Sequence, residues 1–420
     1  MRILIHGLNF FPELTGIGKY TGEMAEWLAT QGHEVRVVTA PPYYPQWRRA
    51  KGYANRWNQE EITHLQPSLK KDEGLLVVYR CPLWVPANPS GLKRILHLAS
   101  FALSSFPIMI SQLFWRPDVV MVIEPPLMCA PVSLLVSRLA GAKAWLHIQD
   151  FEVDAAFGLG ILKSDRLRKV VLHIERRLMR SFDRVSTISH KMLEKLIEKG
   201  VESKKAVFFP NWADVSTIFP LEHGSLLRKE LCIPDDKMVA LYSGNMGEKQ
   251  GLEIVLEAAS RLVVNPNIQF VLCGDGAAKV KLFVKYEKLP NVVWLPLQPL
   301  ERLNDLLNMA DIHLLPQRAD VADLVMPSKL TGMLASGRPV LATAHAGTQV
   351  AQVVGFCGKV VEPGDVQGVV QGLLELLHRP QERKMLGVAA RKAATELDKS
   401  IVLGRFESQL LACLSSSQPQ

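Results

Sequence analysis

No two of the six cysteines (Cys81, Cys129, Cys232, Cys273, Cys357 and Cys413) stand at C-x-x-C spacing, so the sequence offers neither a zinc ligand pair nor a redox dithiol. Most of them fall in apolar, strand-like runs, where a thiol behaves as a small buried hydrophobe, and a reducing cytoplasm is the expected setting. A secretion signal is also missing: Met1-Arg-Ile-Leu-Ile5 runs directly into a strand, without a basic stretch, a long apolar core and a cleavage site. There is no short-period repeat and no long low-complexity segment, and only residues 415–420 read as a disordered tail. A dinucleotide fingerprint fails as well. Gly16 and Gly18 are followed by Gly22, one residue late for Gly-x-Gly-x-x-Gly, and the loop before Gly16 is too long for a tight strand-to-helix turn.

What the chain does have is length and alternation. Its 420 residues predict two domains, and 48% hydrophobic with 21% charged residues supply sizeable cores. The formal charge of +8 favours anionic partners: nucleotide phosphates, nucleic acid or an anionic membrane face. Short apolar runs at 3–5, 35–38, 76–79, 119–123, 144–148 and 185–188 read as buried strands, and a second series follows at 239–242, 269–272, 292–295, 312–315 and 340–343. Between them lie helical patterns, such as Met24, Trp27 and Leu28 on one face and Leu252, Val255, Leu256 and Ala259 on another. Two runs of alternating strand and helix imply an α/β chain with two parallel sheets, each covered by helices on both faces, joined near residues 210–214. Ligands of such sheets bind beyond the carboxyl ends of the strands, and two sheets facing across a cleft place those loops on its walls.

The loops carry the chemistry. After the first strand, Gly16 and Gly18 allow a backbone to approach a substrate or a phosphate. In the second half, Ser243-Gly-Asn-Met-Gly-Glu-Lys-Gln-Gly251 sets Gly244, Asn245, Lys249 and Gln250 before a helix, which suits a diphosphate. Gly274-Asp-Gly276 is a further glycine turn, suited to a base or ribose. In Leu324-Val-Met-Pro-Ser-Lys-Leu-Thr-Gly-Met-Leu-Ala-Ser-Gly-Arg-Pro-Val340, Pro327 and Ser328 start a short helix whose first residue is Lys329, and Gly337 with Pro339 ends it. A lysine sits badly at the positive end of a helix dipole unless an anion is bound there, where the amides from Ser328 to Leu330 would also serve it. In the first half a strand ends in His147-Ile-Gln-Asp150, with Glu152 and Asp154 beyond. That carboxylate group suits acid–base work or an acceptor, or else a capped helix start, and His147 within its apolar strand reads as a core residue.

Phe11-Pro-Glu-Leu-Thr-Gly-Ile-Gly-Lys-Tyr-Thr-Gly-Glu-Met24, Gly32-His-Glu-Val35, Thr39-Ala-Pro-Pro-Tyr-Tyr-Pro-Gln-Trp47, His147-Ile-Gln-Asp150, Phe209-Pro-Asn-Trp212, Tyr242-Ser-Gly-Asn-Met-Gly-Glu-Lys-Gln-Gly-Leu252 and Pro327-Ser-Lys-Leu-Thr331 together resemble the retaining glycosyltransferases of the GT-B architecture, family GT4, over nearly the whole chain. The resemblance implies two Rossmann-like domains: an acceptor-binding one over 1–208 and a nucleotide-sugar-binding one over 209–380, with helices over 381–414 crossing back to the first. It implies transfer of a sugar, with retention, from a nucleotide diphosphate to a hydroxyl. No metal or other cofactor is implied, in keeping with the absence of Asp-x-Asp. The catalytic candidates are then Asp150, Lys329 and Glu13. The donor-binding ones are Gly16, Gly18, Gly244, Asn245, Lys249, Gln250, Gly274, Gly276, Asp323, Ser328, Lys329 and Leu330. Two departures stand out. The glutamates that relatives carry eight positions apart are Leu324 and Gly332 here, leaving Asp323 to replace part of their acidic function. The usual arginine and lysine of the second domain's first turn fall at Asn245 and Gln250, with Lys249 beside the latter.

Residues 95–115 carry no formal charge between Lys93-Arg94 and Arg116. Their length suits a bilayer, but Pro107, His97, Gln112 and four serines dilute the run, and spanning would split the first sheet. A surface-inserted helix and a buried helix both remain open. Arg48, Arg49, Lys51 and Arg56, with Trp47 and Trp57, would add contact to anionic head groups or form a solvated loop. The expected function is extension of a polyprenyl-diphosphate-linked saccharide at the inner face of the cytoplasmic membrane, for an exopolysaccharide of the colanic-acid kind. GDP-fucose is the donor the resemblance suggests, and nucleic acid is not an expected partner. A GT-B nucleotide-sugar epimerase and a noncatalytic, membrane-docked assembly protein are the alternatives.

Overall fold

Each apolar run forms a strand in the computed structural model, which describes residues 1–13, 16–57, 59–65, 74–87, 91–154, 165–318 and 327–415, without the side chains of 59, 60, 62–65, 165, 167 and 249. The chain divides into two units, Met1–Pro210 with Leu403–Gln420, and Asn211–Val402.

The first unit contains β1 (Arg2–His6), β2 (Glu34–Thr39), β3 (Gln59–Leu65), β4 (Gly74–Arg80), β5 (Val119–Glu124), β6 (Lys143–Ile148), β7 (Arg184–Thr187) and β8 (Ala206–Phe208). They form one sheet in the order β3-β4-β2-β1-β5-β6-β7-β8. Ile3, Leu4 and Ile5 of the central β1 are fully buried, as a parallel strand covered on both faces requires, and each such side chain contributes about 1.5–3 kcal/mol. β3 departs from the parallel expectation: it pairs antiparallel with β4, from Gln59 opposite Arg80 to Leu65 opposite Gly74. It opens with Gln59-Glu-Glu61 and lies on the edge, where a strand needs no apolar run and so gives no sequence signal.

Helices α1 (Gly16–Thr30), α2 (Gly91–Ser111), α3 (Ala130–Ala140), α4 (Asp165–Arg180) and α5 (His190–Glu198) accompany this sheet. α2 contains the uncharged run. Its inner face, with His97, Phe101, Ser104, Ser105, Ile108 and Met109, is buried. Ser105 of α2 and Ser133 of α3 hydrogen bond the two ring nitrogens of buried His6, each at 2.9 Å. α2 is long and apolar enough to cross a membrane, but β4 before it and β5 after it belong to one sheet, so crossing would tear that sheet apart. The terminal helix, Lys399–Ser415, completes the unit from Leu403 onward: Phe406 stacks on Phe209 at 4.1 Å between ring centroids, and Glu407 lies 2.8 Å from His33.

The second unit contains α6 (Leu226–Glu230), β9 (Met238–Asn245), α7 (Leu252–Arg261), β10 (Ile268–Asp275), α8 (Lys279–Tyr286), β11 (Val292–Leu295), α9 (Leu303–Asn308), β12 (Ile312–Leu315), α10 (Lys329–Ala335), β13 (Val340–Thr343), α11 (Gln349–Gly355), β14 (Gly358–Val361), α12 (Val366–His378) and α13 (Pro380–Glu396). Its strands are all parallel, in the order β11-β10-β9-β12-β13-β14. Burial alternates along β9: Met238, Ala240 and Tyr242 join one core, and Val239 and Leu241 another on the opposite face. All six cysteines are free thiols, five buried and Cys232 exposed.

Candidate active site

In the second unit β10, β9 and β12 lie side by side, so the loops beyond their carboxyl ends converge. Gly274 stands opposite Gly244 in register, and Asp275 opposite Asn245. A side chain on Gly274 would begin 1.9 Å from the carbonyl oxygen of Gly244, so only glycine allows the two loops to touch backbone to backbone. One on Gly276 would begin 2.6 Å from the backbone of Met246. Lys329, the first residue of α10, reaches this junction: its Cδ lies 3.5 Å from where a Gly244 side chain would start. Its Nζ is buried, has no hydrogen-bond partner and sits 4.1 Å from the centre of the Tyr242 ring. Burial pushes its pKa down to about 7. The Tyr242 hydroxyl donates to the Asn245 carbonyl and thereby ties the aromatic floor to the loop. A buried ammonium held by a ring face and lacking an acceptor is a site for an anion.

The other donor candidates separate. The Gln250 Oε1 is buried without a partner, within the turn that Gly247 opens, while Asn245 and Ser328 are exposed. Leu330 is spent elsewhere: its side chain is fully buried and its amide donates to the Pro327 carbonyl at 3.0 Å, so the expected row of phosphate-binding amides is shortened at that residue. The Lys249 side chain and Asp323 lie outside the described residues. A side chain at Gly332 would meet Leu307 Cδ1 at 3.4 Å and Ile218 Cδ1 at 3.6 Å, an apolar wall. Sequence reasoning missed Arg318, an exposed cation just past β12 whose Cγ would lie 3.1 Å from a Gly251 side chain. Its place after a strand end was the available signal.

In the first unit Glu13 organises a loop. Its Oε1 accepts from the amides of Tyr43 at 2.9 Å and Tyr44 at 3.0 Å, and its Oε2 accepts from Asn9 Nδ2 at 2.8 Å. Burial raises its pKa, and those donors oppose the shift. Gly18 leaves room for this carboxylate, since a side chain there would begin 2.6 Å from Oε2; Gly16 opens α1 at a left-handed φ of 63°, 3.9 Å from Tyr44 Cε1. Buried Arg80, which the sequence did not reveal, donates to the carbonyls of Phe11 at 2.7 Å and Ala40 at 3.0 Å and pairs with Glu61 at 2.7 Å, locking the same loop.

The ends of β5 and β6 bring carboxyl groups together. Glu124 is fully buried and neither oxygen has a partner. Burial raises its pKa well above the usual range, the charges of Glu152, Glu175 and Asp150 add to this, and Lys199 opposes it. Asp150 is half-buried beyond β6, and Glu152 accepts from the Leu127 amide at 3.0 Å. Asp154 pairs with Lys195 at 3.2 Å and Lys199 at 2.8 Å, and Glu175 with Lys199 at 2.5 Å, so these two acids are tied into an ion network. His147 is a core residue: Ser186 Oγ lies 2.9 Å from Nδ1, Gln149 Nε2 lies 3.0 Å from Nε2, and burial lowers its pKa to about 3. Among the described residues no group of His, Cys, Asp and Glu side chains is arranged to hold a metal ion. A neutral carboxyl beside a half-buried carboxylate can hold or move a proton.

A groove of about 930 Å³ in this unit is lined by Trp47, Trp57, Trp84, Arg48 and Arg49 among others. The Trp57 indole donates to the Ser104 carbonyl of α2 at 2.8 Å, which fixes that wall. Beside it the outer face of α2 exposes Leu92, Leu96, Leu103 and Phe106, the last two 76% and 48% accessible.

Two Rossmann-like domains with parallel sheets define the GT-B architecture of glycosyltransferases, and comparison with known proteins narrows the class. Residues 15–212 match the glycosyl transferase 4-like domain, and residues 225–393 match the glycosyl transferases group 1 family. The chain is 45% identical over 419 residues to WcaI of Escherichia coli K12, a glycosyl transferase named for colanic acid biosynthesis, covering 97% of this chain and 98% of that protein. Sucrose-phosphate synthase from Thermosynechococcus elongatus shares the fold with a TM-score of 0.74 at 16% identity over 100% of both chains. HepE from Anabaena, solved in complex with UDP, does so with a TM-score of 0.69 at 13% identity over 98% of this chain and 100% of that one. The chain belongs to the GT4-type glycosyltransferases and is an enzyme of that class.

Proposed function

We propose that this glycosyltransferase takes a sugar from a nucleotide-diphosphate donor, with retention and without a metal. The acceptor in this reading is a polyprenyl-diphosphate-linked saccharide, extended for an exopolysaccharide of the colanic-acid kind at the cytoplasmic face of the membrane. The observation that carries the donor half is the buried, unpartnered Nζ of Lys329 at the junction of the Gly244 and Gly274 loops. As the anomeric C–O bond to the diphosphate breaks, negative charge grows on the leaving oxygen, and a preorganised cation in a dry site stabilises it. The new bond joins the anomeric carbon to the acceptor oxygen, whose proton must leave. Asp150 is the carboxylate assigned to that hydroxyl, and Glu124 behind it holds a proton. Glu13 positions the first loop.

The name of WcaI supports the pathway, and the UDP complex of HepE supports a nucleotide donor. The exposed apolar face of α2, with Lys93 and Arg94 at one end, supports a membrane-facing side. GDP-fucose is the first donor to test. One nucleotide sugar in a GDP- and UDP-sugar panel is expected to raise the melting temperature of the purified protein and to be consumed with a polyprenyl-diphosphate-linked saccharide present. A panel in which none binds and none turns over overturns the reading.

A further inference from the structure

At the opposite end of the second sheet from the donor loops, cations line a cleft that the transfer reaction does not use. The cleft, about 570 Å³, lies at the amino ends of β12 and β13. Arg338 and Asp311 line it from the sheet side, and Arg383, Lys384, Arg391 and Lys392 from α13. The donor loops lie past the other ends of these strands, about 13 Å away for a four-residue strand such as β13.

The two guanidinium groups of α13 are held by carbonyls rather than by carboxylates. Arg391 donates through Nη1 to the carbonyls of Ile218 and Ala335, each at 2.7 Å, and through Nη2 to that of Val215 at 3.0 Å. Arg383 donates to the Leu376 carbonyl at 2.7 Å. Carbonyls fix a guanidinium in place without cancelling its charge. Asp311 is already engaged, by Arg228 at 3.1 Å and by the Val239 amide at 2.8 Å. The Nε of Arg338 is buried with no partner. Among the described residues no ion pair joins any of the five lining cations to a carboxylate. Burial lowers the Arg338 pKa, and the charges of Arg228 and Arg383 add to that effect against Asp311. A concave surface on which five cations outnumber one carboxylate, itself bound by Arg228, focuses its potential on a counter-ion.

We propose that this cleft binds a phosphate-bearing anion at a site separate from the donor loops. Guanidinium groups present paired donors that match phosphate oxygens, and several cations together favour a group carrying two or more negative charges over a single carboxylate. The chemistry is the same for a free phosphorylated metabolite and for a phospholipid headgroup, so the test separates them.

The probe is pyrophosphate, titrated into the full chain by calorimetry and followed by hydrogen exchange. Two cleft variants are compared, Arg338→Gln and the exposed double substitution Lys384→Gln with Lys392→Gln; the second guards against a folding defect in the first. Pyrophosphate is expected to slow exchange at residues 337–339 and 383–395, to do so still in Lys329→Ala, and to bind about tenfold or more weakly in both cleft variants. Wild-type affinity in both cleft variants overturns the site. So does binding that disappears in Lys329→Ala, which would place all the pyrophosphate on the donor loops, and so does the absence of heat and protection. Flotation on phosphatidylglycerol but not phosphatidylcholine vesicles, lost in both cleft variants, supports the site with a lipid headgroup as ligand. Soluble binding whose loss leaves flotation unchanged supports it with a free phosphate.

Discussion

At the carboxyl edge of the second sheet stands Lys329, a buried cation with no partner; at the same edge of the first sheet stand Glu124, Asp150 and Glu152, carboxyl groups that burial pushes toward the neutral form or leaves beside it. The topology of the two sheets is alike and the electrostatics are opposite. Desolvation acts on both: it lowers the lysine pKa and raises those of Glu124 and Glu152, because in each case the charged form loses water. An arriving anion rescues the first and worsens the second. The proposed function accordingly gives the donor diphosphate to the second unit and proton handling to the first.

The contrast breaks most visibly at Asp150. Asp150→Asn is expected to lower kcat by about a hundredfold or more while leaving donor affinity nearly unchanged, in the range of a lost acid–base group. Parallel losses in kcat and in donor binding would mean that the residue only supports the fold. On the other unit, Lys329→Ala is expected to weaken donor use by about 1–3 kcal/mol, as for a lost charge-assisted hydrogen bond. Wild-type kinetics there would remove Lys329 from the site.

Titration sharpens the same point. The Lys329 pKa near 7 lies below the ordinary 10.5, and a bound diphosphate raises it. Donor binding is thus expected to take up a proton and to weaken as pH climbs above 7, and a dissociation constant flat from pH 6.5 to 9 would contradict this. In the empty protein the lowered pKa has the opposite consequence. Between about 7 and 10.5 the unfolded chain binds a proton that the fold does not, so this lysine makes stability rise with pH across that window.

The outer face of α2 gives a smaller effect. Leu103→Glu with Phe106→Glu is expected to release the protein from anionic vesicles with its secondary structure unchanged, since both side chains are exposed. Unaltered flotation would deny that face a membrane role. The smallest change is expected at Glu124. With its pKa raised, the group keeps its proton in the fold, and Glu124→Gln should alter stability by about 1 kcal/mol or less at pH 4 and below, where the unfolded carboxyl is protonated too, and should leave the variant more stable than the wild type at neutral pH. The wild type should lose stability as pH rises above the ordinary 4.5, because the unfolded carboxyl releases a proton that the folded one keeps, and the glutamine should remove that slope. A loss of several kcal/mol in the variant would show that Glu124 is held as a carboxylate.

The sequence determined the strands and the family. A central parallel strand is buried on both faces and must be written as a continuous apolar run, as 3–5 and 119–123 are, and the start and stop of α10 were legible in Pro327, Ser328 and Gly337. Strand ends then located the loops that carry Lys329, Gly244, Gly274 and Asp150. Edge strand β3 was not legible, since an edge position asks for no continuous apolar run. Tertiary structure alone decided which groups lose water and which find partners. Glu124 and Glu175 meet near Lys199 from distant parts of the chain, Arg80 reaches back to Phe11, Gly18 makes room for Glu13, and Arg338 faces α13 across the cleft. Periodicity is local and can be read along a chain, whereas desolvation and charge pairing depend on neighbours that only the folded backbone brings together.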